Sequence, residues 1–200
     1  MKKSFAFPIV FMAILTAVFT FILSFLNYST ADQVEFNENN DLRQKILYVF
    51  DIDAPLDNPE EVAEIFEDRI EETEKEDGDI IYTAKENGET MGYAFPVRGS
   101  GLWGSILGYV AITEDYSEIL GVDFISHSET PGLGGRIDEE EYKGQFRGLE
   151  LDNDGGDYVI YNPATGGNAD AISGATLTSK SVSDILNEDI REFIENKEVE

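Results

Sequence analysis

Ile80-Ile81-Tyr82-Thr83-Ala84-Lys85-Glu86-Asn87-Gly88-Glu89-Thr90-Met91-Gly92-Tyr93-Ala94-Phe95 is the stretch on which the fold turns. Residues 80–84 and 91–95 are rich in β-branched and aromatic side chains, which suit a pleated, half-buried surface. The Asn-Gly pair between them favours the two-residue turn whose central positions both need positive φ. The stretch therefore reads as two antiparallel strands joined tightly. Downstream, residues 106–113 (Ile-Leu-Gly-Tyr-Val-Ala-Ile-Thr) and 119–126 read as a second antiparallel pair around Glu114-Asp115-Tyr116. Tyr158-Val159-Ile160-Tyr161 reads as a further strand.

Helical patterns flank these strands. Leu42, Ile46 and Val49 share one helical face, widened by Leu47 and Phe50. Asn58-Pro59-Glu60-Glu61 has the grammar of a helix start: Asn as cap, Pro at the first position and acids in the first turn. Val62, Ile65, Phe66 and Ile70 form its apolar stripe, and residues 71–79 read as a solvated helix end and loop. Val182, Ile185, Leu186, Ile190, Phe193 and Ile194 mark a C-terminal amphipathic helix. The expected fold class is α+β, with a mainly antiparallel sheet flanked by helices in one domain over residues 32–200. Residues 32–40 read as a polar spacer before it.

The segment ahead of that domain has a different chemistry. Lys2 and Lys3 precede an uncharged run over residues 5–26, broken only by hydroxyls. As a helix, 22 residues span roughly 33 Å, enough for the hydrocarbon core of a bilayer. Pro8 lies in the first turns, where a missing N–H costs little. Ser29-Thr30-Ala31 resembles a small-x-small cleavage site, but the run exceeds the roughly 7–15 residues of a signal-peptide core. Residues 1–31 are read as a cytoplasmic tip and a retained single-pass anchor. Its lysines stay inside and the following domain lies outside the cytoplasm, at the cell (inner) membrane.

Charge sorts along the same boundary. The 200 residues carry 41 Asp+Glu against 14 Lys+Arg, a formal charge of −27. Residues 1–31 hold two of the lysines and no acid, so the exterior domain is more negative than the whole chain. Such a charge repels phosphate backbones and argues against nucleic acid as a partner. The absence of Cys removes disulfides, thiolate zinc sites, iron–sulfur clusters and thiol nucleophiles. A single His cannot supply two imidazoles to a metal, and no metal site is read.

Three segments carry more than fold. In Asp170-Ala171-Ile172-Ser173-Gly174-Ala175-Thr176-Leu177-Thr178-Ser179, Gly174 and Ala175 let a bulky group approach the backbone, and Thr176 offers a hydroxyl. The C-terminal helix is expected to begin just beyond, near residues 178–181, where free N–H groups and the positive dipole end favour a phosphate. A plain Ser/Thr-rich helix cap fits the same residues. Glu129-Thr130-Pro131-Gly132-Leu133-Gly134-Gly135 is turn chemistry that can lay backbone against a planar ligand, or simply turn. His127, just before it, reads as a capping residue or a proton donor. Gly99-Ser100-Gly101-Leu102-Trp103-Gly104 holds the single Trp among glycines, suited to stacking on an aromatic ligand or to anchoring the core. Its spacing does not fit a dinucleotide fingerprint. No acid–base or nucleophilic constellation is read, so no residue is assigned a catalytic role.

Taken together these segments resemble a known family. Asp170-x-x-Ser173-Gly174-Ala175-Thr176 resembles the flavinylation motif of the FMN-binding domain. That domain is found in the C subunit of the Na+-translocating NADH:quinone oxidoreductase and the G subunit of the related Rnf complex. Glu129-Thr130-Pro131-Gly132-Leu133-Gly134 resembles the second motif these proteins share, and order, spacing and the single anchor agree over nearly the whole chain. Gly101-Leu102-Trp103 and the Gly-Ala-Thr-Leu-Thr-Ser run at 174–179 are closer to the C subunit. A length shorter than many C subunits keeps the G subunit open.

The resemblance implies FMN joined through its phosphate to Thr176 by a phosphoester. It implies a separate flavin transferase, working outside the cytoplasm on FAD with Mg2+, that recognises Asp170, Ser173, Gly174 and Ala175. Leu177 and Thr178 complete the local match; Glu129, Thr130, Gly132, Leu133 and Trp103 are implied to line the isoalloxazine. The implied role is electron relay within a complex that oxidises NADH, reduces quinone and exports Na+, with the NADH and quinone sites on other subunits. In the Rnf alternative, ferredoxin and NAD+ are the substrates. A reading of another class, an anchored acidic module that binds partners or cations without redox chemistry, predicts no flavin and binding that collapses with salt.

Overall fold

In the computed structural model, residues 6–151 and 156–197 are described. Lys2, Lys3 and Phe5, on which the orientation and the start of the anchor were read, lie outside the described residues. The chain separates into two compact units, Met1–Asp41 and Leu42–Glu200.

Helix α1 is Ala6–Val49, and within it Phe7–Ala31 is long and apolar enough to cross a membrane. Residues 32–40 are helical, not a spacer. They are polar but contain no Gly or Pro to stop the helix, and Gln33 donates to Asn37 one turn on at 3.1 Å.

In the Leu42–Glu200 unit, α2 (Pro59–Arg69) is followed by five strands: β1 (Ile70–Glu74), β2 (Ile80–Glu86), β3 (Glu89–Ser100), β4 (Ser105–Thr113) and β5 (Ile119–Ser126). They form one antiparallel sheet in the order β1-β2-β3-β4-β5, each strand beside its sequence neighbour. The β2–β3 turn has Asn87 at φ 53 and Gly88 at φ 87, as the Asn-Gly pair requires. Two readings change here. Ile70 opens an edge strand instead of closing a helix: Ile70-Glu71-Glu72-Thr73-Glu74 pairs with residues 80–84 and exposes its four polar side chains. Acids on an edge strand deter pairing with another chain. Tyr158-Val159-Ile160-Tyr161 is not a strand; it makes one bridge, Tyr161 with Ala169, and Asn187 takes the place of a neighbouring strand for its backbone.

The period of two along each strand feeds two cores. On one face Tyr82, Ala84, Ala94 and Ala111 pack with Ile46, Leu47, Val49 and Phe50 of the α1 end and its following turn, and with Val62 and Phe66 of α2. The three alanines leave room for helices to lie close. On the other face Ile81, Phe95, Val97, Val110, Ile112 and Val122 pack under α4 (Thr176–Lys197) through Val182, Leu186, Ile190 and Phe193. A 3₁₀ turn (Gly134–Asp138) and the short α3 (Glu140–Gly144) close the same side. Phe95 and Phe193 stack at 3.9 Å between ring centroids.

Candidate functional site

Three loops meet at the end of the sheet where β3 turns into β4. Ser100 pairs with Ser105, so Gly101-Leu102-Trp103-Gly104 is the hairpin tip, closed by a Gly101 N–H to Gly104 carbonyl bond of 2.7 Å. β5 ends there, and residues 127–135 lead from it into the 3₁₀ turn. The third element is the start of α4. The helix begins at Thr176, earlier than its sequence suggests, and the Ser179 N–H is bonded to the Ala175 carbonyl at 3.0 Å. The amides of Thr176, Leu177 and Thr178 are therefore the unpaired front of the helix. Thr176 itself is exposed.

Between these loops lies a cavity of about 300 Å³. Leu102 and Trp103 line it from the hairpin tip; Glu129, Thr130, Leu133 and Gly134 from the second loop; Gly174, Ala175, Thr176, Leu177 and Thr178 from the α4 start. Its rim is apolar and open. Trp103 is 69% exposed, Leu177 63%, and Leu102 and Leu133 47% each. Among the described residues of Leu42–Glu200, Leu56 is the single other exposed large apolar side chain, so the exposed apolar surface gathers at this pocket.

The floor is a hydrogen-bonded carboxylate. Glu129, buried, accepts on Oε1 from the amides of Leu102 at 2.7 Å and Trp103 at 3.1 Å, and on Oε2 from the Thr178 hydroxyl at 2.5 Å. Burial pushes its pKa up, but the bonds from Thr178, Trp103 and Leu102, with His127 nearby, outweigh that and hold it below the usual carboxylate range. Backbone must come close for this to work. A Cβ at Gly101 would sit 2.5 Å from Glu129 Oε1, and one at Gly134 2.5 Å from Thr178 Oγ1. His127 accepts the Glu129 N–H on Nδ1 at 3.1 Å and faces Asp138 through Nε2 at 2.9 Å, so it fixes the loop from behind.

Of the residues singled out in the sequence, Trp103, Glu129, Thr130, Leu133, Gly174, Ala175, Thr176, Leu177 and Thr178 share this cavity. Asp170 and Ser173 do not; they line a separate cavity of about 250 Å³ with Arg136, Tyr142 and Gln145. Asp170 is held there by Gln145, which accepts its N–H at 2.6 Å, and by Asn162, which donates to its carboxylate at 2.9 Å. Gly132, at φ 74, lines neither. Leu102 and Gly134 are lining residues that sequence reasoning left unassigned, although both lie inside the glycine-rich runs it marked. Ser179 ties the loop to the helix, accepting from the Ile172 N–H at 2.9 Å and donating to the Ala175 carbonyl at 3.2 Å. Beneath it Tyr142 and Tyr161 share a 2.5 Å hydrogen bond; burial pushes Tyr161 up to about 12 and Tyr142 higher still, so both stay neutral.

An antiparallel α+β domain with an open apolar pocket, glycine-lined and capped by a helix N-terminus, is a scaffold for a planar ligand that carries a phosphate. Residues 101–191 match the model of the FMN-binding domain. It is 34% identical over 116 residues to the C subunit of the Na(+)-translocating NADH-quinone reductase of Pseudomonas aeruginosa, covering 54% of this chain and 44% of that one. It is 32% identical over 111 residues to the G subunit of the proton-translocating ferredoxin:NAD(+) oxidoreductase complex of Clostridium ljungdahlii, covering 56% of this chain and 58% of that one. The crystal structure of the Na(+)-translocating NADH-quinone reductase C subunit from Parabacteroides distasonis superposes with a TM-score of 0.66 at 27% identity, over 77% of this chain and 89% of that one. The matched region thus spans less than half the length of the curated Pseudomonas relative.

Proposed function

We propose that this chain is a membrane-anchored flavoprotein that carries FMN on Thr176 and relays electrons within a Na+-translocating NADH:quinone reductase. The observation that supports this most is the position of Thr176: an exposed hydroxyl at the first residue of α4, on the lip of an apolar pocket. The residues present suit FMN. The helix-front amides of residues 176–178 face the place where a phosphate on Thr176 would lie, and small residues at 174 and 175 leave that approach open. Leu102, Trp103, Leu133 and Leu177 offer apolar surface to a planar ring. In the attachment, the Thr176 oxygen forms a bond to the FMN phosphorus of FAD, AMP leaves, and the hydroxyl proton passes to the flavin transferase or solvent.

FMN when bound supplies one-electron and two-electron redox chemistry. The chain's own part is to hold it, to shield one side and to leave the other open to a redox partner. The α1 segment Phe7–Ala31 serves as the single-pass anchor, with Lys2 and Lys3 inside and the domain outside the cytoplasm. NADH oxidation, quinone reduction and sodium export belong to partner subunits. The longer share of the Clostridium relative that aligns, 58%, favours a second reading, the electron-carrying G subunit of an Rnf-type complex.

The test is intact mass after co-expression with a flavin transferase. The wild type is expected to gain one FMN less one water, with in-gel flavin fluorescence, and Thr176→Ala neither. An unmodified wild-type mass under those conditions overturns the assignment, and salt-sensitive partner binding without flavin would favour the acidic module instead.

A further inference from the structure

Both oxygens of the buried Glu129 carboxylate are bonded within the protein: Oε1 is held by two amides and Oε2 by a hydroxyl. Its three donors belong to two elements that share no other side-chain bond across the pocket among the described residues. Leu102 and Trp103 are at the tip of the β3–β4 hairpin, and Thr178 is in the first turn of α4. Glu129 itself comes from a third element, and the Gly101 and Gly134 backbones lie close against its two oxygens. A buried carboxylate is costly unless it is hydrogen-bonded, and here three bonds to the charged group, two on one oxygen and one on the other, hold it.

We infer that Glu129 is the positioning residue of the pocket: it fastens the Trp103 loop to the start of α4 and fixes a negative charge in the wall. The ring-facing surface of Leu102 and Trp103 is then set from the floor of the pocket, through the backbone amides that Glu129 holds. This deepens the flavin reading and rests on it in one respect, since the fixed charge opposes extra negative charge on a reduced flavin. A flavin held here is expected to have a lower reduction potential with the carboxylate than without it. The depressed pKa keeps that charge in place throughout the neutral range.

Two variants of the full chain separate the tether from the charge. Glu129→Gln keeps an acceptor for the two amides and loses the charge; Glu129→Ala loses both. Trp103 is the single Trp, so time-resolved fluorescence anisotropy of the flavin-free protein reports that loop alone. The fast local depolarisation is expected to grow several-fold in Glu129→Ala and to stay near wild type in Glu129→Gln. In the FMN-loaded proteins the midpoint potential is expected to move positive in both variants. An anisotropy decay unchanged in Glu129→Ala overturns the tether. A potential unmoved in Glu129→Gln overturns the charge. Secondary structure by circular dichroism is recorded for each variant, and the Gln variant carries the decision on charge where Ala unfolds. Failure of the wild type to gain FMN sinks the flavin reading, while the anisotropy arm still decides the tether.

Discussion

Gly134 shows how little space the pocket floor has. A Cβ there would lie 2.5 Å from Thr178 Oγ1, 2.6 Å from Glu129 Oε2 and 3.1 Å from Glu129 Cβ. Those oxygens are bonded to each other at 2.5 Å, so neither can retreat without opening that bond. Gly134→Ala is expected to cost about 1–3 kcal/mol, read as a lower urea midpoint with an unchanged slope. Thr178→Val tests the other side of the contact. It removes a principal cause of the depressed Glu129 pKa and leaves a buried carboxylate oxygen without its donor, a loss of about 1–3 kcal/mol at pH 7. The sign follows from linkage: a carboxylate with a depressed folded pKa contributes stability that is complete above its unfolded pKa, about 4.3 for Glu, and lost as pH falls through the folded value. The gap between wild type and Thr178→Val should therefore be full at pH 7 and narrow below pH 4. A gap constant down to pH 3 would show that the bond does not depend on the charge.

At the scale of elements, the residues that were easiest to read are those whose partners are near in sequence. The Asn87-Gly88 hairpin and the α2 cap, where the Asn58 side chain accepts from the Glu61 N–H at 3.4 Å, need nothing from the rest of the chain. β1 was not legible because Ile70-Glu71-Glu72-Thr73-Glu74 has one apolar residue, and pairing with β2 alone makes it a strand. The segment at 158–161 was misread for the opposite reason. It has strand composition, but its backbone is satisfied by a helix side chain: Asn187 Oδ1 accepts from the amides of Tyr158 at 2.7 Å and Val159 at 2.8 Å, and Nδ2 donates to the Val159 carbonyl at 3.0 Å. The site divides likewise. The glycine-rich runs and the Thr176 segment stood out in the sequence, but the bond joining Glu129 to Thr178 spans 49 positions and has no local signature. Asn187→Leu keeps the volume near the original and removes all three bonds. It is expected to destabilise by about 3 kcal/mol or more and to speed hydrogen exchange at the Tyr158 and Val159 amides before the sheet amides; uniform exchange would contradict a local role.

For the whole molecule the deciding quantity is the formal charge of −27, nearly all of it in the Leu42–Glu200 unit. Like charges at this density oppose the compact state, and that repulsion acts between exposed groups, where salt screens it. The attractive pairs are screened less evenly. Lys143 and Asp123 meet at 2.8 Å with both side chains largely buried, and Lys143 also lies 4.3 Å from the Tyr48 ring centroid, so added salt reaches this cluster weakly. Exposed pairs such as Lys180 with Asp184 are each worth about 0–1 kcal/mol and lose little. Repulsion should therefore fall faster than attraction as the Debye length shrinks from about 30 Å at 0.01 M to about 8 Å at 0.15 M. The Tm of the detergent-solubilised chain is expected to rise by several degrees over that range and to rise equally in NaCl and KCl. Equal rises make the acidic surface an adaptation to its solvent, whereas a rise confined to sodium would require a specific cation site on this chain.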